Sequence, residues 1–177
     1  MTTDPNLPPT PVDRAALLDL LGQHNYRVTT HDHDPVFTVA ESQALCEAIP
    51  GGHTKNLFLK DKKGNIFLLT AEQNSDVNLK TLHKLLGGSS RFSFANADLM
   101  QQHLGVTPGS VTAFGVINDR DNAVTLALDK SLLAFDTINC HPLTNDATTS
   151  IHRDDLLDFA KACGHEPLIV DLAEEPQ

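Results

Sequence analysis

The hydrophobic residues near the start of the chain recur at the spacing of a helix. Apolar positions in residues 15–21 follow a period of three to four, and Gly22 supplies a stop signal. Thr10 fits the N-cap of this helix, with Pro11 at its first position and Asp13 in its first turn. The pattern therefore predicts a first helix that ends at Gly22.

A strand and a second helix are predicted next. Residues 26–30 alternate between apolar and polar side chains, as in a half-buried strand. Thr38 and Glu41 form a capping-box pattern, and the apolar residues behind it continue to Ile49. Because proline is not tolerated in a helix interior, the second helix should end at Pro50.

Two pairs of β-rich segments are separated by short polar turns, which is the pattern of a β-hairpin. The first turn contains Gly64, which tolerates the positive φ that tight turns require. The predicted hairpins pair residues 55–60 with 66–71 around the turn 61–65, and residues 111–117 with 124–128 around the turn 118–122.

The remaining segments complete a sheet with helices packed against it. Further helices are predicted over residues 78–86, 96–104 and 151–163, and further strands over residues 91–95, 135–138 and 168–171. Helices and hairpins are interleaved rather than alternating one to one. The predicted fold class is therefore α/β (α+β), with a mixed, largely antiparallel sheet and not a doubly wound parallel one.

Length and composition fit one compact domain. The chain has 177 residues, of which 40% are hydrophobic, so we predict a single domain over residues 1–177 with flexible ends at 1–10 and 173–177. No apolar run approaches the roughly 20 residues that span a bilayer. The three cysteines lack the spacing of a disulfide framework or a zinc site. We therefore expect a cytoplasmic protein that does not enter a membrane.

The charge of the chain disfavours a general nucleic-acid-binding protein. Its formal net charge of -10 opposes the contacts of many lysines and arginines with phosphates, so no binding to DNA is expected. Basic residues are nevertheless concentrated in the middle of the sequence, where a local face could hold one RNA end. They are Lys55, Lys60, Lys62, Lys63, Lys80, Lys84 and Arg91.

Candidate chemistry begins at a glycine-rich turn before the first hairpin. Gly51 and Gly52 precede Lys55 and Asn56, so backbone N–H groups, an ammonium and an amide can face one anion. In the alternative interpretation, the glycines only end a helix and Lys55 is solvated.

Two further segments are candidates for the same site. Residues 104–112 are dense in glycine, proline and hydroxyl groups and could supply backbone donors, although a plain connection explains them equally well. His141 follows a predicted strand and could assist proton transfer near neutral pH. A histidine taken at random from the nine in the chain is more often a surface or hydrogen-bonded core residue.

Two other patterns are rejected. Residues 31–34 place two histidines and two aspartates together, but no third metal ligand of suitable spacing follows. Cys140 is adjacent to His141, and neighbouring residues on a strand point to opposite faces, which argues against a nucleophile–base pair.

Taken together, four segments resemble the YbaK and prolyl-tRNA-synthetase editing-domain superfamily and, more narrowly, its free-standing alanyl-tRNA(Pro) deacylases. The resemblance extends from about Asp13 to Leu172. The segments that carry it are residues 33–38, 52–61, 105–111 and 141–149.

The resemblance implies a YbaK-like mixed fold and hydrolysis of an aminoacyl ester with no metal and no cofactor. It implies the acceptor end of tRNA(Pro) as partner, with prolyl-tRNA synthetase or an elongation factor as transient ones. It assigns catalytic roles to Lys55, Gly109 and His141, and substrate binding to Val36, Phe37, Thr38, Asn56, Ser110, Ala113 and Thr148.

The sequence departs from the family pattern at one position of the glycine loop. The family has proline four residues after the glycine that matches Gly109, whereas this chain has Ala113, so the φ constraint of proline is missing. The pocket is expected to be small and lined by apolar groups such as Val36, Phe37 and Leu57. Cysteinyl-tRNA(Pro) or seryl-tRNA deacylation, a non-catalytic nucleic-acid-binding module and a degenerate family member are the alternatives.

Overall fold

The structure is a computed structural model that describes residues 11–174. Helices and strands alternate irregularly along this part of the chain, as the sequence predicts. The strands are β1 (Val28–Asp32), β2 (Gly52–Lys60), β3 (Ile66–Glu72), β4 (Ser93–Phe94), β5 (Val124–Asp129), β6 (Thr137–Cys140), β7 (Ala147–His152) and β8 (Leu168–Val170). The helices are α1 (Arg14–Gln23), α2 (Val39–Ala48), α3 (Leu82–Leu86), α4 (Ala97–Leu104) and α5 (Arg153–Ala162), with two 3-10 helices at Ala113–Asn118 and Lys130–Ala134.

The strands form one eight-stranded sheet in the order β1-β7-β6-β2-β3-β5-β8, with β4 paired to β2. The pairings β1–β7, β6–β7, β2–β3 and β2–β4 are antiparallel, and β2–β6, β3–β5 and β5–β8 are parallel. The predicted mixed, largely antiparallel sheet is confirmed.

The two halves of the sheet are joined through the first residues of β2. On one edge of β2, Gly52 pairs with Ile138 and His53 with Asn139, whereas residues 54–60 pair with β3 on the opposite edge. On the β6 edge, residues 54–58 have no strand partner in the described part of the chain before β4 pairs at Leu59. The candidate site lies at this point.

Both faces of the central strands are buried. In β3, Ile66 and Leu68 belong to a large core with α1, α4 and α5, whereas Phe67 and Leu69 belong to a smaller core with α3. Side chains alternate across a strand, so an uninterrupted apolar run supplies both cores. Within residues 11–174, no helix is both long enough and apolar enough to cross a membrane.

The first predicted hairpin is confirmed as β2 and β3, and Asp61 stabilises its turn. Its carboxylate accepts hydrogen bonds from the backbone N–H groups of Lys63, Asn65 and Ser89. Removal from water raises the pKa of a carboxyl, but the donors from Ser89 and Asn65 outweigh this and hold the pKa of Asp61 well below its ordinary value.

Acid is therefore expected to destabilise the fold. The pKa values of Asp61, Asp119 and Asp129 are all lowered from the ordinary 3.8, so their stabilisation is complete above that value and lost as the pH falls from it toward the lowered pKa values. The urea midpoint should fall steeply below about pH 4. Asp61→Asn should show a shallower fall, and a wild-type midpoint that is unchanged down to about pH 3 would contradict the prediction.

The second predicted hairpin is wrong. Ala113–Asn118 is a 3-10 helix whose N-cap, Thr112, accepts a hydrogen bond from Phe114 N, and β5 pairs in parallel with β3. A short apolar run buried on all sides does not distinguish a strand from a helix, because both place every side chain in the core.

Several element boundaries also differ. Asp13 is the N-cap of α1 and accepts from Ala16 N, whereas the predicted cap Thr10 lies outside the described residues. The helix predicted over 78–86 shortens to α3, because Asn78 caps a turn by accepting from Lys80 N. The helix predicted over 151–163 begins at Arg153, since β7 continues through His152.

The predicted flexible ends fall largely outside the described part of the chain. Residues 1–10 and 175–177 are not described. Ala173 and Glu174, by contrast, form a turn in which both backbone N–H groups donate to Asp171.

Candidate functional site

A small cavity lies beside β2, where its pairing with β6 ends. It has a volume of about 130 Å³ and is bounded by α2, β2, β6, β7 and the loop that contains Gly109. None of the side chains that line it is a carboxylate, lysine or arginine. The lining residues are Val36, Ser42, Leu45, Cys46, His53, Thr54, Gln73, Gly109, Asn139, Cys140, His141, Asn145 and Thr148.

A groove of about 280 Å³ adjoins the cavity. The cavity and the groove share Thr54, Gly109 and His141, so one ligand can occupy both. The other residues of the groove are Lys55, Asn56, Phe58, Phe94, Met100, Pro108 and Val111.

Lys55 is one of the residues that line the groove. Its ammonium donates a hydrogen bond to the backbone carbonyl of Ser75, in the loop that follows β3. Within the described residues no carboxylate oxygen lies within 4.0 Å of Lys55 Nζ. No ion pair within the described residues therefore neutralises this charge.

Asp129 stabilises the loop whose Ser75 carbonyl accepts the hydrogen bond from Lys55. Its Oδ2 accepts from the hydroxyl of Ser75 at 2.6 Å and from the backbone N–H of Glu72 at 3.0 Å. Burial alone would raise the pKa of Asp129, but these donors outweigh it and keep the pKa below its ordinary value. The carboxylate therefore stays ionised near neutral pH and anchors the loop.

The backbone conformation of Gly109 and a side-chain hydrogen bond of Asn56 constrain these two residues. Gly109 has φ +92°, a conformation in which any other residue is strained, and it borders both the cavity and the groove. Asn56 Oδ1 accepts from the hydroxyl of Thr70 at 2.6 Å on the paired strand. The hydrogen bond from Thr70 fixes the orientation of the Asn56 amide beside the groove.

His141 is held as a neutral imidazole. Burial lowers its pKa, the hydrogen bond of Nδ1 to the Ala147 carbonyl opposes that effect, and the nearby His33 lowers the pKa further. The net shift is downward from 6.5, so the ring is uncharged at neutral pH. Because a carbonyl oxygen only accepts, Nδ1 at 3.2 Å carries the proton and Nε2 is an acceptor.

Within the described residues, Cys140 is not a reactive thiol and residues 31–34 do not form a metal site. Burial raises the pKa of the Cys140 thiol to about 12, so a thiolate is scarcely populated near neutrality. In the 31–34 segment, Asp32 pairs with Arg14 and His33 bonds to Thr148. Residues 11–174 contain no cluster of three or more histidine, cysteine or acidic side chains arranged to hold a metal ion.

The structure brings six of the residues assigned by resemblance to the cavity and groove. Val36 and Thr148 line the cavity, Lys55 and Asn56 line the groove, and Gly109 and His141 border both. These residues come from four separate parts of the chain, which the fold brings together.

Four other assigned residues lie elsewhere. Phe37 is 81% exposed just before α2, because its backbone N–H is held by Glu41 and its side chain faces outward. Thr38 is the N-cap of α2, so its hydroxyl accepts from the backbone and is not turned to the cavity. Ser110 and Ala113 are buried outside both depressions, and Ala113 begins a 3-10 helix.

The expectation of an apolar pocket holds only in part. Val36 and Leu45 line the cavity beside polar side chains, whereas Leu57 packs in the core beside α3, on the face of β2 opposite to Asn56 and Phe58.

The sequence reasoning missed several lining residues. Ser42, Leu45 and Cys46 form one face of α2 at the spacing i, i+3 and i+4, which is a signal that could have identified them. Gln73 and Asn139 carry no such signal, because only the pairing of β2 with β3 and β6 brings them to the cavity.

Known proteins resemble this chain in sequence. The sequence profile described as the aminoacyl-tRNA editing domain matches residues 33–159. The prolyl-tRNA synthetase associated domain-containing protein 1 of Mus musculus is 38% identical over 162 residues, which cover 89% of this chain and 95% of that protein. The prolyl-tRNA editing protein ProX of Acetoanaerobium sticklandii is 34% identical over 160 residues, which cover 90% and 97% of the two chains.

A solved structure shares the architecture. It is described as a candidate trans-editing enzyme for prolyl-tRNA synthetase, and it superposes with a TM-score of 0.65 at 19% identity, covering 89% of this chain and 94% of the other. The predicted YbaK-like fold is thereby confirmed. With a family profile that spans most of the chain, the protein belongs to the aminoacyl-tRNA editing domain family.

Proposed function

We propose that this chain is a cytoplasmic trans-editing deacylase that hydrolyses mischarged alanyl-tRNA(Pro) to free alanine and tRNA(Pro). The observation that carries the proposal is the pairing of a small uncharged cavity with a groove that contains Lys55. The names of the relatives, a prolyl-tRNA editing protein and a prolyl-tRNA synthetase associated protein, support the choice of tRNA.

The size of the cavity supports a small amino acid. Its volume of about 130 Å³ is well below the roughly 300 Å³ at which drug-sized ligand pockets begin. A synthetase site that must admit proline cannot exclude the smaller alanine by size, and one methylene changes binding by only about 1–3 kcal/mol. A second site that admits alanine and rejects proline removes the error.

The chemistry requires positioning more than a strong nucleophile. An aminoacyl ester is already activated, so a positioned water can add its oxygen to the carbonyl carbon. The bond to the ribose oxygen then breaks and that oxygen takes a proton, which leaves the amino acid and the free tRNA end. In our proposal Lys55 holds the RNA end, the backbone at Gly109 faces the developing oxyanion, and His141 borders the ester.

The partners follow from this activity. The acceptor end of tRNA(Pro) would occupy the groove, and contact with prolyl-tRNA synthetase or an elongation factor would be transient. The proposed reaction uses no metal and no cofactor.

A panel of charged tRNAs tests the proposal. We expect rapid release of alanine from alanyl-tRNA(Pro) and no release of proline from prolyl-tRNA(Pro) above the spontaneous rate, with both rates unchanged by EDTA. Cysteinyl-tRNA(Pro) and seryl-tRNA are measured beside them. Preferential release of cysteine or serine would replace the proposed specificity, and inhibition by EDTA would refute the metal-free mechanism.

A further inference from the structure

Several polar groups of the cavity direct their donors to other parts of the protein. The Thr54 hydroxyl donates to the Asn139 carbonyl at 2.7 Å, so its oxygen can still accept from a ligand. His141 uses its Nδ1 proton on the Ala147 carbonyl, which leaves Nε2 as an acceptor. Two lining side chains are therefore hydrogen-bond acceptors.

Thr148 is made a third acceptor by His33. The Nδ1 atom of His33 lies 2.8 Å from the Asp34 carbonyl, which can only accept, so Nδ1 carries the proton. In the tautomer with its proton on Nδ1, Nε2 accepts from the Thr148 hydroxyl, at 2.8 Å. The Thr148 oxygen retains its lone pairs beside the cavity, while its proton is directed away.

Two side-chain amide groups of the lining also donate hydrogen bonds within the protein. Asn145 Nδ2 donates to the Val36 carbonyl at 3.1 Å, and Gln73 Nε2 donates to Ser42 Oγ at 3.4 Å. Each of these amide nitrogens thus uses one of its two N–H groups within the protein. The neutral acceptors at Thr54, Thr148 and His141 fit a small group with several N–H donors.

We propose that the cavity recognises the α-amino group of the aminoacyl ester through Thr54 Oγ1, Thr148 Oγ1 and His141 Nε2, and that His33 is the positioning residue that holds Thr148 as an acceptor. The inference rests on the proposed deacylase function. An alanyl ester consists of a methyl, a carbonyl and an amino group, and of these the amino group alone donates hydrogen bonds. His33 acts through Thr148 and does not line the cavity.

Substrates with an altered α-position separate this recognition from simple size selection. Lactyl-tRNA(Pro) replaces the amino group with a hydroxyl of similar size and so keeps one donor. Wild-type protein should hydrolyse it about 10- to 100-fold more slowly than alanyl-tRNA(Pro), after each rate is divided by the spontaneous rate of the same ester. N-acetylalanyl-tRNA(Pro), which also keeps one donor, should be a poor substrate too.

Variants at the acceptor test the role of His33. Thr148→Val removes the hydroxyl, and His33→Phe removes the nitrogen that orients it. Each should shrink the alanyl-to-lactyl ratio by roughly threefold or more, because one acceptor for the amino group is lost. Thr148→Ser keeps the hydroxyl and should keep the ratio.

The control is Thr149→Val on the same strand. The Thr149 hydroxyl bonds to Thr30 at 2.8 Å and does not line the cavity, so the ratio should not change. Both rates come from the same preparation, and the ratio is therefore independent of the fraction of folded protein.

The rates on the two esters and in the variants lead to different conclusions. Ratios that shrink in Thr148→Val and His33→Phe but persist in Thr149→Val and Thr148→Ser support the inference. Equal wild-type rates on the two esters overturn it and leave the deacylase function standing. A large wild-type ratio that neither variant changes overturns the assignment of Thr148 and His33, and no release of alanine at all overturns the proposed function together with the inference.

Discussion

Replacing Lys55 with alanine is expected to lower the rate of alanine release from alanyl-tRNA(Pro) by about 100-fold or more. Lys55 is the lysine of the groove, and its ammonium is held by the Ser75 carbonyl without a neutralising carboxylate in the described residues. Without it the RNA end loses its charged contact, and the ester is no longer held at the attacking water. The measurement is the single-turnover rate with enzyme in excess.

Lys63→Ala is the matched control for this change. Lys63 lies in the exposed turn after β2, and it contacts Asp61 through its backbone N–H, so its side chain can be removed without disturbing the turn. Both variants have the same net charge. Equal rates for Lys55→Ala and wild type would remove Lys55 from the site, whereas an equal loss in both variants would indicate a general electrostatic effect of the basic hairpin.

The second large effect is expected on stability, at Asp119. Its buried carboxylate accepts from His165 Nε2 at 2.8 Å and from the backbone N–H of Val124 at 2.8 Å. Asp119→Ala leaves these two buried donors without a partner, which should cost about 3–5 kcal/mol in the free energy of unfolding. Urea unfolding followed by circular dichroism measures the change.

Asp121→Ala serves as the comparison, since Asp121 is exposed in the same turn, and such a change is expected to alter stability by less than about 0.5 kcal/mol. Asp119→Asn keeps one acceptor oxygen and should fall between the two. A loss below about 1 kcal/mol for Asp119→Ala would mean that water or another group satisfies His165 and Val124.

Asp119 shows how the fold keeps the site in place. It joins the start of β5 to the segment between α5 and β8, through His165. Strand β5 in turn pairs with β3 and ends at Asp129, which fixes the loop that receives Lys55. A carboxylate remote from the cavity therefore supports the strand on which the groove depends.

Local signals in the sequence predicted the parts of the fold that depend on neighbouring residues. The capping box of Thr38 and Glu41 begins α2 as expected, and the glycine turn joins β2 to β3. Asn96 and Gly105 bound α4 as its caps. In each case the interaction lies within about five residues, so the pattern contains the whole cause.

The candidate site was predictable only in part. Lys55, Gly109 and His141 stand in segments whose residues resemble the editing family, and the structure brings them to one place. Phe37 occupies a matching segment as well, yet its side chain is exposed because α2 begins immediately after it. A motif identifies a position in the chain, and the direction of its side chain depends on the elements around it.

By itself, the sequence determined the individual helices and strands with strong caps or turns, the mixed class of the sheet and the segments from which the site is built. Only the tertiary structure decided that residues 113–118 form a 3-10 helix, that β5 lies parallel to β3, and that Gln73 and Asn139 line the cavity. It also decided that His33 Nε2 lies 2.8 Å from the hydroxyl of Thr148, 115 positions away. The physical reason is that strand pairing and burial act between distant segments, and local periodicity does not specify which segments meet.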